Sequence, residues 1–116
     1  MVKGIDLFAS AGGLTLGLKA AGVETVCAVE IEEYRARTFA LHTPRAEIIN
    51  SDIRRVAFKK YRGEVQLVYG GPPCQPFSSG GLRKSHADDR NMIPGFIRVV
   101  GEVQPAAILM ENVPGL

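Results

Sequence analysis

Two cysteines stand in opposite settings in this 116-residue chain. Cys74 follows Gly70-Gly71-Pro72-Pro73 and precedes Gln75-Pro76-Phe77-Ser78. A thiolate is a strong nucleophile where positive charge or a helix N-terminus lowers its pKa. The stiff Pro-Pro approach predicts a sulfur at a rim. A lone cysteine is usually a small buried hydrophobe, but these flanks argue against that for Cys74. Cys27, inside Thr25-Val26-Cys27-Ala28-Val29, reads as an inert core residue. Glu111 ends the apolar run Ala106 to Met110, which predicts a partly desolvated carboxyl. Desolvation raises a carboxyl pKa and allows proton donation near neutral pH. The alternative is a rim acid held by a structural hydrogen bond. The continuation Asn112-Val113-Pro114 favours the functional reading.

Three further features have the types of residue that hold a nucleoside. Gly12-Gly13 lets backbone approach a ligand or turn tightly into a helix. Glu30, after a β-branched run, suits the two hydroxyls of a ribose. Either feature alone reads equally as a turn or a surface acid. Ser10 occupies the first glycine position of G-x-G-x-x-G, so the dinucleotide fingerprint is not met. Asp52 suits an adenine amino group and, with equal weight, an N-cap for the residues after Ile53. Arg83, Lys84, His86 and Arg90 suit phosphate contacts or a solvated loop, and Asp88-Asp89 partly offsets them. His42 and His86 have no partner spacing that points to a ligand or base, and no Cys/His group has metal-ligand spacing.

These residues need a frame that gathers them. Val2 to Phe8, Thr25 to Glu30, Ala46 to Ile49, Glu64 to Tyr69 and Ala106 to Met110 read as strands. Leu14 to Ala21 reads as a helix stopped by a left-handed Gly22, and Glu32 to Leu41 as a helix stopped before Thr43-Pro44. A third runs from about Asn91 to Val103, with Pro94 in its first turn. Cys74 to about Arg90 has no hydrophobic period and reads as a long loop. Strands separated by helices predict an α/β fold, a parallel sheet covered on both faces. In such sheets ligands bind beyond the carboxyl ends of the strands. Gly12-Gly13, Glu30, Asp52, Cys74 and Glu111 all follow strand ends, so they are expected on one rim.

Composition sets the outer bounds. The length suits one domain with one core. Hydrophobic content of 46% excludes whole-chain disorder. No apolar run approaches the length of a membrane span, and no signal-peptide pattern opens the chain. The net charge of +2 permits a nucleic-acid partner without requiring one. Two cysteines make no disulfide framework, so a reduced, cytoplasmic setting fits.

The chain resembles the N-terminal part of the catalytic domain of a DNA (cytosine-5)-methyltransferase. The segment from Asp6 through Phe8, Gly12 and Gly13 to Leu14 resembles the motif that wraps the methionine part of S-adenosylmethionine. Glu30 matches the ribose-binding acid, Ile31 the apolar residue against adenine, and Asp52-Ile53 the adenine-binding pair. Gly71 to Ser78 matches the nucleophile motif, with Cys74 the nucleophile. There the resemblance gives Pro72 to the cofactor side and Gln75 and Ser78 to the substrate. Asp89-Arg90-Asn91 resembles a structural element, and Glu111-Asn112-Val113 the motif that holds the target base. Of the loop cations, Arg83 is assigned to the substrate. Ser10 departs from the pattern, standing where the family usually has glycine.

The resemblance implies a Rossmann-like, S-adenosylmethionine-dependent fold, here with about five strands. It implies methyl transfer to carbon 5 of cytosine in double-stranded DNA, on a flipped-out base, through a covalent Cys74 adduct. Residues 1–116 then form the cofactor-binding and nucleophile part. The family's later Arg-containing strand, target-recognition region and C-terminal segment are not in this sequence. A fragment, or one part of a split enzyme completed by a second chain, is therefore expected. Two rivals remain: a tRNA cytosine-5 methyltransferase, and a non-catalytic subunit.

Overall fold

In a computed structural model, described for residues 1–73 and 91–111, five strands form one parallel sheet. In chain order they are β1 (Val2–Asp6), β2 (Val23–Val29), β3 (Glu47–Ile49), β4 (Leu67–Gly70) and β5 (Ala107–Met110). Their spatial order is β3-β2-β1-β4-β5. Three helices connect them: α1 (Gly13–Ala20), α2 (Glu33–His42) and α3 (Ile93–Val103). The expected α/β, Rossmann-like architecture is present.

Local chemistry sets the element ends. Gly22 takes φ 95, and the amides of Ala21 and Gly22 donate to Leu18 and Lys19, closing α1. Thr43 N–H donates to Phe39 O at the end of α2, just ahead of Pro44. Pro94 sits in the first turn of α3, where its missing N–H has no intrahelical partner to lose. Two strands shorten most from their expected spans. β1 ends at Asp6 instead of Phe8. β4 begins at Leu67 instead of Glu64, because Lys59–Tyr61 forms a 3₁₀ turn and Gly63, at φ 82, continues the reversal.

The two faces of the sheet differ. One is apolar: Ile5, Leu7, Cys27, Val29 and Val68 pack with Phe58 and with Phe96, Val99 and Val103 of α3. On the other, Ala28 packs with Phe39 of α2 and with Ala9. Cys27 has no exposed surface, and burial pushes its thiol up to about 11, as suits an inert core residue. At one sheet edge, Glu47 of β3 accepts from Tyr61 and Lys60. At the other, Ile108 and Leu109 of β5 are 53% and 42% exposed.

Candidate active-site rim

The loop between β1 and α1 turns back beside the end of β2. Ala9 N–H donates to Val29 O at 2.9 Å, and Gly12 N–H to Ala9 O at 3.0 Å. Glu30 holds this turn. Its Oε1 accepts from Ser10 N–H at 2.8 Å and its Oε2 from Glu32 N–H at 2.6 Å. Such charge-assisted bonds contribute roughly twice as much as neutral ones. Glu30 is 7% exposed, so it is a buried anchor and not a surface acid. Each carboxylate oxygen keeps acceptor capacity for a further donor.

Ser10 adopts φ 51, in the left-handed region. Glycine enters that region without steric penalty, whereas a residue with a Cβ pays about 1 kcal/mol. This explains why glycine suits the position. Gly12 takes φ 106, and a Cβ there would lie 3.1 Å from the Phe39 ring. Gly12 thus answers to its own turn and to α2 packing. A Cβ at Gly13 would meet nothing within 4 Å.

Asp6 lies behind the loop, 1% exposed. It accepts from Thr15 Oγ1 at 2.7 Å and from Phe8 N–H at 3.3 Å. Burial pushes its pKa up to about 6; the two hydrogen bonds oppose the rise and the Glu30 charge adds to it.

In front of the loop opens a cavity of about 390 Å³. Phe8, Glu30, Ile31, Asp52, Ile53 and Pro73 help to line it. That volume is within the range of small-molecule sites. Ile31 is 63% exposed at the mouth, an apolar surface for a flat ring. Asp52 caps the 3₁₀ turn Ile53–Arg55 through Arg54 N–H at 2.9 Å. Its carboxylate also pairs with the Arg54 guanidinium at 2.6 Å. Arg54 holds the Asp52 pKa down to about 2, through its side-chain and then its backbone hydrogen bond. The capping role is therefore realised, with Asp52 also in the cavity wall. Arg98 of α3 donates to Ile53 O at 2.7 Å and pairs with Glu102, which accepts from Phe58 N–H at 2.7 Å. These bonds fix the Ile53 wall.

The cavity thus brings together Phe8, Glu30, Ile31, Asp52 and Ile53 of the expected cofactor residues. Asp6, Gly12, Gly13, Leu14 and Pro72 do not line it. Sequence reasoning missed Pro73, Met92 and Arg54 as wall residues. Met92 N–H donates to Pro73 O at 2.9 Å, a pairing between distant segments that no local pattern signals.

Glu111 corrects one expectation. Its residue is exposed, not partly desolvated. β5 is an edge strand among the described residues, and no described layer covers its end. Glu111 N–H donates to Gly70 O at 3.0 Å. Its Oε2 lies 3.8 Å from where a Cβ on Gly71 would stand. The carboxylate therefore sits beside the start of the Gly71-Pro72-Pro73 approach. Cys74, Gln75, Ser78, Arg83 and Asn112 lie outside the described residues.

The family model for C-5 cytosine-specific DNA methylases matches residues 2–116. The chain belongs to that methylase family. It is 39% identical over 112 residues to the type II methyltransferase M.NgoMIV of Neisseria gonorrhoeae, spanning 97% of this chain and 36% of that protein. It is 41% identical over 122 residues to M.AquIA of Picosynechococcus, spanning 98% of this chain and 49% of that protein. Among solved structures, a prophage-encoded Escherichia coli protein described as a DNA modification methyltransferase superposes with TM-score 0.84. It is 36% identical, with 99% of this chain and 33% of that one covered. The Dnmt2 methyltransferase of S. pombe gives TM-score 0.74 at 25% identity, covering all of this chain and 37% of its own. The chain thus spans about a quarter to a half of the length of the first curated relatives it matches.

Proposed function

We propose that this chain is the cofactor-binding and nucleophile part of an enzyme that methylates carbon 5 of cytosine in DNA. The observation that carries this reading is the cavity at the strand ends, with Glu30 in one wall and Pro73 in another. Pro73 is followed directly by Cys74. The donor set fits S-adenosylmethionine. Glu30 retains lone pairs for ribose hydroxyls, Ile31 and Ile53 offer apolar surface to adenine, and Asp52 accepts from the wall. Phe8, at the entrance of the β1–α1 loop, then bounds the methionine end.

S-adenosylmethionine supplies an electrophilic methyl group. Carbon 5 of cytosine is a poor nucleophile until the ring is activated. The Cys74 thiolate adds to carbon 6, forming a carbon–sulfur bond and moving electron density to carbon 5. Glu111 hydrogen-bonds the N3/N4 edge and stabilises the charge that develops there. Carbon 5 takes the methyl group from its sulfonium, with S-adenosylhomocysteine the leaving group. A base then removes the carbon 5 proton, the bond between carbon 6 and the Cys74 sulfur breaks, and the thiolate is regenerated. A stacked base is out of reach of such a sulfur, so the cytosine leaves the helix first. The remaining length of the relatives is the natural source of target recognition, in the same chain or a second one.

The test is transfer of a labelled methyl group from S-adenosylmethionine to mixed-sequence DNA, with Cys74→Ala as control. Label in DNA that depends on Cys74 is the expected result. Label that persists in Cys74→Ala, or that enters RNA and not DNA, overturns the reading.

A further inference from the structure

We propose that Tyr69 is a positioning residue for the cofactor loop, acting through a buried hydroxyl relay, Thr25–Tyr69–Thr15, that ends on Asp6. The proposal rests on the reading of the rim as an S-adenosylmethionine site. Tyr69 has no exposed surface, and Thr15 and Thr25 are 2% and 5% exposed. Tyr69 Oη lies 2.5 Å from Thr15 Oγ1 and 2.6 Å from Thr25 Oγ1. Thr15 Oγ1 donates to Asp6 Oδ2.

Each hydroxyl carries a single proton, so the chain has a direction. Thr15 gives its proton to Asp6 and must accept from Tyr69. Tyr69 must in turn accept from Thr25. With Asp6 ionised, all three hydroxyls point toward the carboxylate and each polarises the next.

The relay is built into the fold. Gly4 of β1 makes room for it: a Cβ there would stand 3.0 Å from Tyr69 Cε1 and 3.1 Å from a Val23 methyl. A glycine inside a strand commonly marks such a close approach. The four polar groups come from four elements, β2, β4, α1 and the end of β1. They form a polar layer under α1, opposite the apolar face that α3 covers.

The layer bears on function through the loop it ties down. Phe8, at the entrance of the loop, gives its N–H to Asp6 and lines the cavity. Thr15, in the first turn of α1, stands just past the loop exit. One carboxylate therefore holds both ends. Tyr69 adds β4, which leads through Gly70-Gly71-Pro72-Pro73 to Cys74. The groups facing Asp6 are Phe8 N–H, the Thr15 hydroxyl, Tyr69 beyond it, and the Glu30 carboxylate. Protonation of Asp6 makes it a donor, reverses the hydroxyl chain and loosens the hold on Phe8.

The test follows the Asp6 carboxyl carbon by NMR titration in the unsubstituted chain, Tyr69→Phe and Thr25→Val, beside calorimetric affinity for S-adenosylmethionine from pH 5 to 8. Tyr69→Phe should raise the Asp6 midpoint by about half to one pH unit, because a weaker donor remains on the carboxylate. Thr25→Val should raise it less. Affinity at pH 7 should fall severalfold in Tyr69→Phe, and its acid limb should move up with the Asp6 midpoint. A merely structural tyrosine would lower thermal stability without moving either curve. An unchanged Asp6 midpoint overturns the relay. A shifted midpoint with unchanged affinity overturns the positioning role. If Tyr69→Phe does not fold, Thr25→Val decides the same points on a smaller scale. Absence of cofactor binding by the unsubstituted chain would instead overturn the cofactor assignment, and the positioning role with it. The Asp6 titration would still report on the relay by itself.

Discussion

Glu30 and Glu111 end two strands of one sheet and face the same rim, yet they sit in opposite surroundings. Glu30 is buried, and both of its carboxylate oxygens hold backbone amides of adjoining turns. Glu111 is exposed. The β1–β2 half of the rim is finished by its own chain: loop, acid and cavity wall satisfy one another. Among the described residues, the β4–β5 half ends on an edge strand whose Ile108 and Leu109 are exposed. The contrast is between a loop whose polar groups are met within the described residues and a strand end whose carboxylate is not. On the proposed function, the substrate base and further polypeptide are what the second half receives.

That contrast can be broken or sharpened by substitution. The largest effect belongs to the second half. Cys74→Ala should abolish methyl transfer, a loss of at least about 10⁴-fold, since the proposed reaction runs through the Cys74 adduct. Cys27→Ala should leave transfer intact and lower stability by about 1 kcal/mol through lost packing. Single-turnover kinetics and thermal melts read the two outcomes. Next comes Glu111→Gln. Turnover should fall roughly 100-fold, with cofactor affinity unchanged and stability within about 0.5 kcal/mol, because an exposed carboxylate holds no described loop. A destabilised Glu111→Gln would show that the second half is more closed than the account holds.

Glu30→Ala should behave in the reverse sense. Losing two part-buried, charge-assisted bonds from backbone amides should lower stability by about 2 kcal/mol. Cofactor affinity should fall at least about tenfold, with a smaller effect on the chemical step. Denaturant unfolding and calorimetry check the pair. The smallest effect is a gain. Ser10→Gly should raise stability by up to about 1 kcal/mol, since glycine takes the left-handed conformation freely. No gain in the melting temperature would mean that the Ser10 side chain offsets its backbone strain.

Much of this was legible in the sequence, for identifiable reasons. Strand order along the chain, the Gly22 stop and Pro94 in the first turn of α3 follow from local chemistry that tertiary contacts did not override. The position of Glu30 at a strand end was readable because an acid closing a β-branched run has few other places to go. The relay was not readable. Thr15, Thr25 and Tyr69 are far apart in sequence and individually ordinary, and only the sheet register with Gly4 brings them together. The exposure of Glu111 was misjudged for a related reason. An apolar run predicts burial only where a layer covers it, and no described layer covers the end of β5. Pro73 and Met92 were missed as wall residues because a backbone bond between distant segments places them.

The most direct test of the central claim is calorimetric titration of S-adenosylmethionine into this chain and its Glu30→Ala and Glu111→Ala variants. The account predicts saturable binding by the unsubstituted chain, at least tenfold weaker binding by Glu30→Ala, and unchanged binding by Glu111→Ala. Equal affinity in the Glu30→Ala variant would contradict it.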